Sequence, residues 1–218
     1  MAGILTVLQK ELASFTGSDK GVFFVYAIIV TVWSFMLLTG EEGMGGQLWF
    51  VFFSVIVAAN FSSTVFISER ISGNLEVFIT SGLSRDAILF GKMIFVIIMT
   101  AVVGLSCAVL AAVLGAVLPE IGDGRTFGVY DASLYLSATF LNVASSAYLS
   151  VRLSNPRLLH FINIFMLGAV VIAYSLLSAL YNLHDIFLLL GFLLLGILFT
   201  LLAKREFAGE RIIQPVIF

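Results

Sequence analysis

Apolar residues in this chain come in long unbroken stretches rather than in alternation. A membrane-spanning helix needs about 20 mostly apolar residues. Six stretches meet that need: 21–40, 47–67, 93–118, 132–151, 158–181 and 186–203. None contains Asp, Glu, Lys or Arg. Continuous runs lack the two-residue alternation of a barrel strand, and an open sheet cannot satisfy its backbone in lipid, so the pattern predicts helices. The third stretch corresponds to about 39 Å of helix against an apolar core of about 30 Å, which predicts tilt or an overhanging end. The predicted class is all-α: a polytopic membrane protein of one domain, with a lead-in at 1–20 and a tail at 204–218.

Composition agrees with this pattern. Of 218 residues, 61% are hydrophobic and only 11% are charged, too little polar surface to cover a water-facing sphere. A nucleic-acid binder with a basic face is excluded on the same count. Charge then gives an orientation. With the N-terminus inside, 10 of the 11 basic residues fall on the cytoplasmic side and only Arg125 falls outside. This positive-inside bias predicts a multi-pass protein of the cytoplasmic (inner) membrane with both termini cytoplasmic.

Two segments outside the stretches carry structure of their own. In the lead-in, Leu5, Leu8, Leu12 and Phe15 recur at helical spacing, which predicts an amphipathic helix at the cytoplasmic interface. The segment 68–92 is far longer than a turn requires; the turn at 182–185 needs four residues. Asn74 suits the N-cap of a short helix and Glu76 its positive start. Gly82 suits the left-handed residue that closes it, and Ser84, followed by Asp86, suits the cap of the next helix. Leu75, Phe78 and Ile79 share one face. That face has two uses open to it: lying on headgroups or its own bundle, or entering a groove of a cytoplasmic partner.

The order of these residues resembles the coupling region of ABC-2 type transporter permeases. The matching positions are Glu69, Arg70, Gly73, Leu75, Glu76, Leu83, Ser84, Arg85, Gly91 and Lys92. Lys10-Glu11-Leu12 is similar to that family's N-terminal elbow helix, and Arg205 to Ile213 to its basic-acidic tail. The resemblance implies the transmembrane subunit of an ABC exporter. Two permease copies, identical or related, would form the pathway, and each would dock a separate ATPase subunit that binds ATP and Mg. Glu69 and Glu76 would sit at the joint between coupling helix and spans, with Arg70 near either acid. A haem-export permease is one variant of that family. The four-residue turn at 182–185 leaves little room for the re-entrant helices that family members often carry.

Absent chemistry narrows the expectation. The one Gly-Lys pair, Gly91-Lys92, has Asp86 where a P-loop needs its first glycine and Met93 where it needs a hydroxyl. No nucleotide site is expected on this chain, and no enzyme activity of its own. His160, His184 and the single Cys107 form no ligand cluster in sequence. With no Asp, Glu, Lys or Arg inside the spans and His160 at the inner boundary of the fifth, a proton- or sodium-coupled carrier is disfavoured. Asn60, Ser63, Asn142 and Ser146 are candidates for lining a pathway or for bonding helix to helix, the commoner use. The expected function is ATP-driven export of an apolar or amphipathic substrate. The rival expectations are a membrane scaffold that recruits a cytoplasmic protein, and an ATP-independent carrier or channel.

Overall fold

A computed structural model describes residues 2–17, 20–39, 44–68, 82–118, 128–153, 155–181 and 184–208. Among these residues there are helices and no strands. In chain order they are α1 (Ala2–Thr16), α2 (Lys20–Thr39), α3 (Met44–Ser62), α4 (Arg85–Val117), α5 (Val129–Ser150), α6 (Pro156–Tyr181) and α7 (Ile186–Ala208). α3 does not stop at Ser62 but continues as a π-helical turn over Ser63–Ser68.

Among the described residues, four stretches of helix are long and apolar enough to cross a membrane: Phe50–Ile67, Arg85–Val117, Pro156–Tyr181 and Ile186–Phe207. α2 supplies a shorter apolar stretch, Phe23–Thr39. α5 is the polar exception. It carries Ser137, Thr139, Asn142, Ser145, Ser146 and Ser150, all buried. It tolerates them because it packs between α3 and α7, with α6 alongside, so these groups face protein rather than lipid.

α4 is longer than the apolar pattern alone indicated. It starts at Arg85, where the Ser84 side chain accepts a hydrogen bond from the Ala87 amide at 3.2 Å and Asp86 lies in the first turn. Gly82, just before it, has φ +78°, a left-handed conformation that glycine adopts without a Cβ clash. Residues 85–92, grouped with the loop by the span pattern, are therefore the first two turns of α4. Its 33 residues make a rod of about 50 Å, about 20 Å longer than an apolar core. α7 likewise runs past the expected 203, to Ala208.

Two hydrophobic clusters hold the bundle together. One joins α1, α3 and its π turn, α4, α5 and α7 around Val7, Phe61, Leu89, Val96 and Phe207. The other joins α3, α5, α6 and α7 around Val55, Leu134, Leu141, Leu167 and Phe192. Close approaches depend on glycine. A methyl group on Gly104 would lie 2.6 Å from the Tyr135 ring, and one on Gly196 would lie 2.5 Å from Phe140. Gly104 therefore permits a close intramolecular contact between α4 and α5.

Candidate functional site

α1 and the two apolar helices that flank the 69–81 segment meet at one joint. α1 packs against the overhanging turns of α4, as close-packed helices can only where a side chain is missing. A methyl group on Gly91 would lie 2.8 Å from both Cβ and Cγ1 of Val7, and 3.2 Å from the Ile4 carbonyl. Val7 is fully buried. The expected stripe on α1 divides accordingly. Leu8 and Phe15 pack on the core, whereas Leu5 and Leu12 are 60% and 47% exposed. Val7 and Glu11 form the face turned to the protein. α1 thus has two apolar faces, one against the bundle and one outward, and Gln9 and Ala13 lie between them on its exposed remainder.

At the centre of the joint lies Lys92, the largest side chain with no exposed surface among the described residues. Charge placed it on the cytoplasmic surface; the structure buries it, because residues 85–92 are helix and α1 covers that helix. Its ammonium lies 3.3 Å from Glu11 Oε1 and donates to the Val65 carbonyl at 2.7 Å. Glu11 is itself 4% exposed and also lies 3.3 Å from Lys10 Nζ. A buried ammonium is costly unless it is paired and hydrogen-bonded, and here the partners come from two other elements, α1 and the π turn. Phe66 of that turn sits 6.0 Å from the ammonium, ring centroid to nitrogen. Burial pulls Lys10 below its ordinary value; Glu11 opposes that shift and Lys92 adds to it.

The π turn has a local cause. Three side chains compete with the backbone ladder just before it. Asn60 Nδ2 donates to the Ile56 carbonyl at 2.9 Å, and Ser63 Oγ and Thr64 Oγ1 both donate to the Asn60 carbonyl, at 2.8 and 3.1 Å. Such back-bonding loosens the regular ladder. A π turn shifts the ladder by one residue, and Lys92 supplies a donor to a carbonyl within it.

Other charged residues collect at the same end. Lys204 of α7 pairs with Asp86 of α4 at 2.8 Å, and Arg152, after α5, pairs with Glu206 of α7 at 2.6 Å. Both pairs are largely exposed on at least one side and contribute little to stability. Arg152 also stacks over Tyr148 at 4.9 Å.

The candidate polar residues within the bundle separate into two groups. Asn60, just before the π turn, and Ser63, its first residue, bond back to their own helix. Asn142 and Ser146 belong to a buried network. Asn163 Nδ2 of α6 donates to Ser146 Oγ at 2.7 Å, and Ser146 Oγ reaches Asn142 Oδ1 at 3.4 Å. Ser145 Oγ donates to Asn163 Oδ1 at 2.9 Å. Asn142 Nδ2 has no hydrogen-bond partner among the described residues. This arrangement bonds α5 to α6.

Of the residues expected to couple to an ATPase, Arg85 opens α4 and is half-buried. Glu69, Arg70, Gly73, Leu75, Glu76, Phe78 and Ile79 lie outside the described residues, as does the tail beyond Ala208. Among the described residues no three His, Cys, Asp or Glu side chains are grouped as metal ligands. Sequence reasoning missed Lys92 as a buried group. The available signal was the Ser84 cap, which already implied that Lys92 is helical and two turns from a helix start. Compared with family models, with curated proteins and with solved structures, the chain gives no match.

Proposed function

We propose that this chain is the permease subunit of an ATP-driven ABC-2 type exporter. In this reading α2 to α7 are six membrane spans, both termini are cytoplasmic, and α1 is the elbow helix at the inner interface. α5 serves as a span despite its polarity because its neighbours shield it from lipid. An ATPase subunit docks on the 69–81 segment through Leu75, Phe78 and Ile79, and a second permease copy, identical or related, completes the pathway. ATP and Mg belong to the ATPase, and the permease itself performs no chemistry.

One observation carries the reading. The elbow helix is clamped, through Gly91 and Lys92, to the helix that follows the 69–81 segment, and Lys92 also grips the turn that precedes it. A push on that segment therefore reaches two long apolar helices and the elbow helix together. That is the mechanical arrangement in which nucleotide-driven closure of an ATPase moves a permease.

Co-expression with an ATP-binding-cassette protein encoded beside this chain tests the reading. The expected result is that the two co-purify in detergent and that ATP turnover depends on the permease. An ATPase that runs free through purification, with turnover indifferent to this chain, overturns it.

A further inference from the structure

We propose that the cavity between α1, α2, α3 and α4 is a binding site for a small neutral aromatic molecule with one O–H or N–H donor, the phenol class. The cavity measures about 170 Å³, and Glu11, Phe15, Tyr26, Phe61 and Phe95 are among the residues that border it. An engineered cavity of about 150 Å³ holds benzene, so a single substituted ring matches the size. Ser14 and Thr64, also on its border, are exposed, and the cavity opens beside them.

Three features select that class. First, the wall is aromatic. Tyr26 and Phe61 stack with ring centroids 4.9 Å apart, and Phe15 meets them at steep angles, 5.7 Å from Phe61 and 6.4 Å from Tyr26. Such rings favour a further ring in offset or edge contact. Second, the wall holds an acceptor that is not in use. Glu11 is 4% exposed, and both of its ion pairs, with Lys10 and Lys92, fall on Oε1. Oε2 accepts no hydrogen bond from the described residues, and its neighbours do not seal it. A carboxylate oxygen can only accept, and a buried one without a donor is costly, so a ligand that brings a donor gains most here. Third, the charges around Glu11 disfavour ions. A cationic ligand would be the third ammonium at one carboxylate, and an anion would face Oε2. A neutral O–H or N–H on an aromatic ring satisfies Oε2 and fills the space beside the three rings.

The site goes beyond the permease reading and does not depend on it. The test is equilibrium dialysis of 4-fluorophenol against the full-length chain in detergent, with protein-free detergent dialysed in parallel to subtract uptake by micelles. The expected result is saturable uptake that ends at a single molecule per chain. 4-Fluoroanisole has nearly the same shape but no donor, and it should bind about tenfold or more weakly, the factor that a hydrogen bond to a charged acceptor supplies. Ser14→Trp, at an exposed position on the rim, should abolish the saturable uptake in a chain that stays monodisperse. The comparison of the two probes uses the wild-type chain alone and carries the test if Ser14→Trp does not fold. Lack of saturable uptake by the wild type overturns the proposal, as does equal binding of the two probes. Tighter binding of 4-fluorobenzylamine, which carries an ammonium, or undiminished uptake by folded Ser14→Trp overturns it too. Each of these leaves the permease reading intact, whereas failed ATPase association removes that reading and leaves the site.

Discussion

Neutralising the carboxylate at the joint should destabilise the protein more than removing the ammonium. In Glu11→Gln, Lys92 keeps its charge at a site with no exposed surface and loses the negative group 3.3 Å away. Removing one partner of a buried ion pair costs about 3–5 kcal/mol. For a chain of 218 residues, at about 2–4 °C per kcal/mol, that is a fall of about 6–20 °C in the midpoint of thermal unfolding. Lys92→Met is milder, because Glu11 still has Lys10 at 3.3 Å and methionine fills most of the volume. Its main cost is the Val65 carbonyl, which loses a donor, about 1–3 kcal/mol. The double variant removes both charges and should be more stable than Glu11→Gln alone. Lys92→Met thus rescues Glu11→Gln, a coupling of the size expected between residues in contact. Monodispersity after a fixed heating time in detergent is the assay, because such unfolding is commonly irreversible. If the double variant loses the sum of the two single losses, the buried pair does not exist as described.

Gly104→Ala drives a methyl group into the Tyr135 ring, whose hydroxyl donates to the buried Thr100 carbonyl at 2.9 Å. Overpacking there should cost about 1–3 kcal/mol, and Tyr135→Leu in the same chain should recover part of it, read by the same heating assay. In the α5–α6 network, Asn163→Leu removes the bonds that Ser145 and Ser146 make to α6 and leaves each hydroxyl only its partner on Asn142, at about 0.5–1.5 kcal/mol for each bond lost. Asn142→Leu should cost less, because one end of that amide already lacks a partner among the described residues; equal losses would refute the assigned bonding.

Much of the helical frame was legible because lipid imposes one strong rule: long apolar runs are helical. α6 over Pro156–Tyr181 and α7 from Ile186 follow the pattern closely. The overhang of α4 was legible in another signal, the Ser84 cap, which the apolar count ignored. Asn60, Ser63 and Thr64 were recognisable as polar residues in an apolar helix. Their use in loosening a ladder was not, since that depends on which carbonyl each side chain reaches. Lys92 shows the main limit. On an isolated helix a lysine beside a span end is a surface marker. Only the placement of α1, far away in the chain and brought close by the contact that Gly91 permits, turns it into a buried group. Leu5 and Leu12 show the converse: the spacing identified an apolar stripe, but packing decided that Val7 and Glu11 would face the protein instead.

The permease reading depends most on an ATPase docking at the 69–81 segment. The most direct measurement is retention of a co-expressed ATP-binding-cassette protein by the wild-type chain and by Phe78→Asp, with membrane insertion quantified in both. The expected result is retention by the wild type and loss in Phe78→Asp at equal insertion. Retention that is the same in both chains, or absent from both, would contradict it.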